Sequence, residues 1–351
     1  MRDSAPSRRM LRAAAPAART GSVLKKTVAA GAVLGVAAAA YGHFIELNNF
    51  VVRHERLPVL PAGTADLRIL HISDMHMIPG QARKREFMHS LAGLRPDLVI
   101  NTGDNLSHIN GLPPLLDALD PLMDFPGVFV PGSNCYFAPV LKNPARYLWQ
   151  ARTPQEIEEG SRVPLPIGKM HDAFESRGWT GLINRYDSIS IGGLRLEFSG
   201  VDDPHLRYDQ HPGFAPEAFD TGSTPRVRIG VAHAPYMRTL ERFVADGAQA
   251  IFAGHTHGGQ VCLPGGRALV SNCDLPPSRA KGVSYQQDVP VQVTAGLGTS
   301  RFAPVRLFCP QRRCWSPSQP RANKHPAVGR DLGRAPHSRA SPRQTARGRC
   351  L

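Results

Sequence analysis

Apolar runs that each stop at an acidic, amide or imidazole side chain recur along this chain and constrain it more than any other feature. "LRILHI" (67–72) leads into "SDMH", and "DLVINTGD" (97–104) ends on Asp104. "GVFVPGSN" (127–134) ends on Asn134, "RVRIGVAH" (226–233) on His233 and "AQAIFAGH" (248–255) on His255. Short apolar runs bounded by turn-forming residues read as buried strands. Between the first three lie "KREFMHSLAGL" (84–94) and "LPPLLDALDPLM" (112–123), which read as helices packed by one apolar face. The order β-α-β-α-β predicts a parallel sheet covered by helices. Open sheets of this kind place ligands beyond the carboxyl ends of their strands. "LRLEFSGVDD" (194–203) and "VQVTAGLG" (291–298) add two further strands, and residues 140–180 read as a cap inserted over the site.

"GHTHGG" (254–259) places two histidines on alternate positions of an extended segment, so both aim the same way. Nothing structural requires two histidines at that spacing between glycines. The other pieces have ordinary explanations when taken singly. An Asp after a strand is often a helix cap, "GDN" is common turn chemistry, and a lone histidine is usually a core or surface residue. Together, Asp74, His76, Asp104, Asn134, His233, His255 and His257 all fall just past strand ends. Six of the seven are Asp or His, a mixture of hard oxygen and borderline nitrogen donors that suits Mn, Fe or Zn.

The net charge of +14 suggests a nucleic-acid partner until it is located. Residues 1–26 hold seven Lys/Arg and one Asp, and residues 309–351 hold ten Lys/Arg and one Asp. The 282 residues between them are left with a net charge of −1. The basicity belongs to the two tails, and no specific nucleic-acid partner is expected. The six cysteines form no CxxC pair. After the basic tail 1–26, "TVAAGAVLGVAAAAYGHFI" (27–45) carries no charge and is about long enough to cross a bilayer. The positive charge before it predicts an anchor with the remainder outside the cytoplasm, and secretion after signal cleavage is the alternative. Residues 46–66 read as a connector and 67–308 as the catalytic domain. Residues 309–351, dense in Arg, Pro and Ser, read as a disordered tail.

The set Asp74/His76, Gly103/Asp104, Gly132–Cys135, His233 and His255/His257 resembles, in order, the motifs of the calcineurin-like metallophosphoesterases, from about Leu67 to Pro304. With the N-terminal apolar segment, "HISDMH" and "AGHTHGGQV" are most similar to the membrane-associated bacterial branch that contains UDP-2,3-diacylglucosamine hydrolase-like phosphodiesterases. The resemblance implies an α/β fold, a four-layer αββα sandwich preceded by one transmembrane or signal helix. It also implies two divalent metal ions bridged by Asp104, one held by Asp74, His76, Asp104 and His257 and the other by Asp104, Asn134, His233 and His255. The implied activity is hydrolysis of a phosphoester, of phosphodiester or pyrophosphate type, by a bridging hydroxide. Asp104, Asn134 and His233 carry the catalytic roles, on a lipid-linked or nucleotide-linked substrate.

Three departures stand out. "GSNC" (132–135) has no histidine, and aligned without a gap it sets Ser133, not Asn134, at the family's Asn ligand; a one-residue slip restores Asn134. The family's histidine there is thought to protonate the leaving group. His108 and His205 are the candidate replacements as substrate-binding residues, and a metal-binding pseudoenzyme is the alternative function. Cys135 is expected to be a partly exposed, oxidation-sensitive thiol. Finally, the basic, Pro-rich sequence after "APVR" predicts that the closing strand of the sandwich is lost.

Overall fold

The computed structural model describes residues 20–140, 162–216, 224–299, 301–309 and 311–320. All belong to one compact unit, Met1–Arg321; a second unit, 322–351, lies outside the described residues. One sheet contains β1 (Phe50–His54), β2 (Leu57–Leu60), β3 (Leu67–Ile72), β4 (Leu98–Asn101), β5 (Gly127–Phe129), β6 (Thr180–Gly181) and β15 (Gln311–Pro320). Its order is β1-β15-β3-β4-β5-β6, with β2 also paired to β15. The other contains β7 (Arg185–Ile191), β8 (Leu194–Gly200), β9 (Arg226–Val231), β10 (Ala250–Ala253), β13 (Gly282–Gln286) and β14 (Val289–Val293), in the order β13-β14-β10-β9-β8-β7. β3 to β6 run parallel, as do β8, β9, β10 and β14. A small hairpin, β11 (Cys262–Leu263) and β12 (Arg267–Ala268), stands apart.

Strand alternation builds the layers. Leu98 and Ile100 of β4 join Ile69, Phe198, Ile229 and Phe252 in a core between the two sheets, whereas Val99, one residue on, joins Leu70 and Ile72 on the opposite face. That outer face is covered by α2 (Ala82–Ser90), α3 (Leu112–Leu119) and α5 (Ile167–Ser176), through Met88, Leu115, Leu119, Met170 and Phe174. The second sheet turns Ile251, Val291 and Val293 toward α6 (Met237–Ala245), which supplies Leu240 and Phe243. The result is the expected four-layer αββα sandwich.

Three sequence-based expectations are corrected. The connector 46–66 is in part sheet: β1 and β2 lie along β15, and Leu57, Val59 and Leu60 are buried. The tail is not disordered from 309 on, because 311–320 form β15, antiparallel to β3 on one side and parallel to β1 and β2 on the other. This strand is held by backbone ladders on both sides, which need no apolar alternation, so its residues carry no strand signal. Its register shifts between Ser318 and Pro320, the kind of irregularity where a residue without an N–H is tolerated. Residues 321–351 lie outside the described residues. The cap expected over 140–180 is corrected from residue 167 on. Met170 and Phe174, four apart on α5, are fully buried against the sheet, and β6 extends that sheet; 141–161 are not among the described residues.

The apolar segment is helical as part of α1 (Thr20–Phe44), and Lys25–Asn48 is long and apolar enough to cross a membrane or to serve as a signal sequence. Its carboxyl end is fastened to the domain. Arg306 N–H donates to Gly42 O (3.3 Å), His43 Nδ1 lies 2.7 Å from Pro304 O, and the Glu46 carboxylate accepts from Phe308 N–H (2.9 Å) and from Cys309 N–H.

Candidate metal centre

Every one of the seven candidate ligands lies at the carboxyl end of a strand or in the turn after it. Asp74 and His76 follow β3, and Asp104 follows β4. Asn134 lies in a one-turn helix, α4 (Ser133–Tyr136), after β5. His233 follows β9, and His255 and His257 follow β10. Backbone bonds lock the first two loops together, Asp74 N–H to Gly103 O (2.8 Å) and His76 N–H to Asp104 O (2.9 Å). Asp74, His76, Asp104, His255 and His257 all have φ between 43° and 68°. Left-handed backbone is uncommon for residues with a Cβ and collects at functional sites. Two glycines make the approach possible: a Cβ on Gly132 would collide with Asp104 Oδ1, and one on Gly254 would sit 2.6 Å from Asp74 Oδ2.

The side chains converge in two overlapping groups, Asp74/His76/His257 and Asp74/Asp104/His233, whose donor atoms lie within 4.8 Å of one another. His255 Nδ1 is 3.3 Å from His233 Nε2, and His76 Nε2 is 3.3 Å from His257 Nε2. The outer hydrogen bonds fix which nitrogens face inward. His233 Nδ1 donates to Thr102 O (2.7 Å) and His257 Nδ1 to Gly298 O (3.1 Å), while His255 Nε2 lies 3.1 Å from Asn272 O and 3.3 Å from Asn272 Nδ2. With Nδ1 engaged by a carbonyl, His233 and His257 turn Nε2 toward the centre, and His255 Nδ1 lies beside His233 Nε2. His76 Nδ1 contacts Ser107 Oγ at 2.8 Å, which leaves its Nε2 inward as well. Lone pairs 3.3 Å apart repel unless a proton or a metal cation lies between them. This donor set, each imidazole oriented by an outer partner, fits a divalent metal centre.

The electrostatics agree. Burial lowers His76 to about 4, and burial with neighbouring imidazoles holds His255 and His257 well below the usual range, so these rings are neutral and able to ligate. Burial raises Asp74 to about 6. His233 goes the other way: burial opposes its charge, but Asp104, Asp74 and Asp203 outweigh it and lift it to about 10. Burial likewise opposes the charge of Asp104, and the positive His233 outweighs it. Asp104 and His233 thus form a buried ion pair, the arrangement a divalent cation would replace.

Asn134, rather than Ser133, is the motif residue that meets Asp104: its N–H reaches Oδ1 at 2.7 Å and its Nδ2 reaches Oδ2 at 2.8 Å. His205 is in the cleft, its ring 4.7 Å from that of His255 and its Nδ1 3.0 Å from Tyr236 Oη. His108 is not among the cleft residues, and its Nδ1 accepts from Asn110 N–H in a local turn. Cys135 is corrected: it is fully buried, and burial pushes its thiol up to about 12, so it is neither exposed nor reactive. Its apolar neighbours in the helix-side core are what the sequence did not reveal. Asp203 Oδ1 accepts from His205 N–H (2.9 Å), a turn role, while its Oδ2 is buried without a hydrogen-bond partner among the described residues.

Sequence reasoning missed Arg306. It is fully buried and donates to Ala295 O and Gly298 O (2.7 Å each) and to His257 O (3.3 Å), bracing the loop that orients His257. An arginine in "APVRLF" gives no such signal, because its role depends on carbonyls far away in sequence. From the centre a cleft of about 690 Å³ runs outward. His76, Asp104 and Asn134 line one end, and the remaining lining mixes apolar Phe137, Val140, Val261, Leu269 and Phe302 with polar Arg162, Gln260 and Asn272.

The family model for calcineurin-like phosphoesterases matches residues 67–259, which hold all seven candidate ligands. The chain belongs to the calcineurin-like phosphoesterase family. As a calcineurin-like phosphoesterase it is 23% identical over 287 residues to the protein F40B5.2 of Caenorhabditis elegans, covering 79% of this chain and 54% of that protein. The chain thus spans about half the length of that relative. It is 26% identical to the uncharacterized protein YpbG (67% of this chain, 76% of that one) and 25% identical to the uncharacterized metallophosphoesterase YkoQ (66% and 76%), both of Bacillus subtilis. Among solved structures it is similar to the phosphopantetheinyl hydrolase of Mycobacterium tuberculosis, at 12% identity and a TM-score of 0.35 over 65% of this chain and 89% of that one. TT1561 of Thermus thermophilus gives 12% identity and a TM-score of 0.34, over 66% and 91%.

Proposed function

We propose that this calcineurin-like phosphoesterase is a metal-dependent phosphodiester or pyrophosphate hydrolase with two divalent ions. The observation that carries the reading is the convergence of four inward-facing imidazole nitrogens on two buried carboxylates. Asp74, His76 and His257 would hold one ion, and Asn134, His233 and His255 the other, with Asp104 between them. When bound, such ions neutralise charge building on the phosphate oxygens and lower the pKa of water toward neutral. The chain's residues do the positioning. Asn134 grips both oxygens of Asp104, the carbonyls of Thr102 and Gly298 hold His233 and His257 while Ser107 and Asn272 orient His76 and His255, and His205 presents a donor to the substrate across the cleft. The apolar wall from Phe137 to Phe302 supports a lipid-linked ester over a nucleotide, and α1 supports membrane attachment, with the basic residues before it keeping the domain outside the cytoplasm.

The test uses full-length protein stripped with chelator and reloaded with Mn²⁺. It is given a soluble aryl phosphodiester and the same head group carrying a long alkyl chain. Hydrolysis is expected only with metal, with kcat/KM at least about tenfold higher for the alkyl ester. Stoichiometric metal without cleavage of either ester would select the pseudoenzyme instead.

His205→Ala is expected to lower kcat/KM by roughly 10–100-fold at unchanged metal content, because a donor to the substrate is lost and no ligand is. His108→Ala should change it less than about twofold. Equal effects of the two substitutions would remove His205 from the site.

A further inference from the structure

Behind the His257 loop lies a group of side chains that the proposed reaction does not use. Cys262, at the start of the β11–β12 hairpin, and Cys309, at the end of the strap that follows Arg306, are both buried free thiols. Both sulfurs lie within hydrogen-bond distance of a single acceptor, Gly258 O, at 3.3 and 3.2 Å. The Lys281 ammonium reaches both sulfurs, at 3.3 Å for Cys262 and 3.5 Å for Cys309. The backbones are already aligned, since Cys262 N–H donates to Leu307 O (2.8 Å) and Val261 pairs with Leu307 in parallel. A buried cysteine is ordinarily just a small apolar residue. That role explains the neighbouring Ala268 and Ala280, but not a second sulfur and an ammonium directed at the same point.

We propose that Cys262 and Cys309 are a disulfide-forming pair, a covalent clasp between the hairpin and the strap beneath the metal centre. The co-reactant is a disulfide donor, RSSR. One cysteine thiolate attacks a donor sulfur and releases RS⁻. The second cysteine thiolate then displaces the remaining RS⁻ from the mixed disulfide. Two protons leave the cysteines and reappear on two RSH, so the pair is oxidised by two electrons and the donor is reduced by two. The two-residue strands of the hairpin make it the piece that opens to admit the donor. Once formed, the bond closes a loop of roughly 50 residues that contains Lys281, Gly298 and Arg306, and so ties together the ends of the segment whose hydrogen bonds brace His257.

This clasp stands or falls independently of any hydrolytic activity. Full-length protein, purified reduced, is equilibrated with a mixture of reduced and oxidised glutathione, blocked with an alkylating reagent under denaturing conditions, digested and mapped by mass spectrometry. The expected product is one peptide pair linked through Cys262 and Cys309, two hydrogens lighter than its reduced parts. The oxidised form should melt roughly 5 °C above the reduced form, and Cys262→Ser and Cys309→Ser should each abolish that difference. Recovery of both residues as alkylated thiols would overturn the proposal. So would linkage of either to another cysteine, or stable mixed disulfides with glutathione. The peptide map of the unmodified sequence decides the matter even if a serine variant fails to fold.

Discussion

Asp104→Asn is expected to lower metal-dependent hydrolysis on the order of a thousand-fold while leaving the protein folded. Asp104 is the residue on which the whole centre turns. Its Oδ1 lies 3.4 Å from His233 Nε2 and accepts from Asn134 N–H, and its Oδ2 lies 3.6 Å from His76 Nε2 and accepts from Asn134 Nδ2. An amide keeps the volume and one acceptor but loses the charge shared between the two groups. Several kcal/mol of charge stabilisation in a buried site corresponds to such a loss of rate, at about 1.4 kcal/mol per tenfold. The fold should persist because β3, β4 and β5 are paired by backbone and packed by residues distant from Asp104. Metal content by elemental analysis, near-ultraviolet circular dichroism and turnover, measured on one sample, separate loss of ligand from loss of structure. An Asp104→Asn variant that retains full activity would remove Asp104 from the centre.

Arg306→Met should reduce both stability and metal affinity. The guanidinium is buried and serves carbonyls of Ala295, His257, Gly298 and Cys309, while burial lowers its own pKa. Methionine fills comparable space and donates nothing, so these carbonyls lose their donors in a place water reaches poorly. The expected cost is about 3 kcal/mol, or a melting midpoint lower by roughly 6–10 °C. Because Gly298 O also receives His257 Nδ1–H, the orientation of that imidazole loosens with the loop. Metal affinity should fall by about 10–100-fold, the usual effect of losing an outer partner. Thermal melts with and without Mn²⁺ check both parts; an unchanged midpoint would show that the carbonyls find other donors.

The convergence of the candidate ligands was legible because it is local in sequence. Asp74, Asp104, His233 and His255 each fall within three residues of a strand end, and the apolar run itself predicts that strand. The βαβαβ half of the sandwich was readable for the same reason. β15 was not: its residues carry Arg and Pro where alternation would be sought, and only a vacant edge of β3 makes them a strand. β1 and β2 were hidden within a stretch that read as a connector because it ends in the turn-rich "LPVLPAG". The imidazole tautomers depend on carbonyls of Thr102, Asn272 and Gly298, and every residue has a carbonyl, so composition carries no trace of them. The choice between His108 and His205 also required coordinates, since both are loop histidines and only one loop folds over His255.

The fastening of α1 to the strap, through Gly42, His43 and Glu46, leaves no slack between an apolar helix and the mouth of the cleft. A domain on a loose tether would sweep a hemisphere and sample substrates from bulk solution at every tilt. A domain on a fixed stem holds its opening at one height and one azimuth relative to the helix axis. With that helix in a bilayer, encounter becomes a problem of diffusion in two dimensions, governed by surface density instead of volume concentration. The length of α1 then acts as a ruler, and adding or removing residues near its carboxyl end would rotate the opening by about 100° per residue.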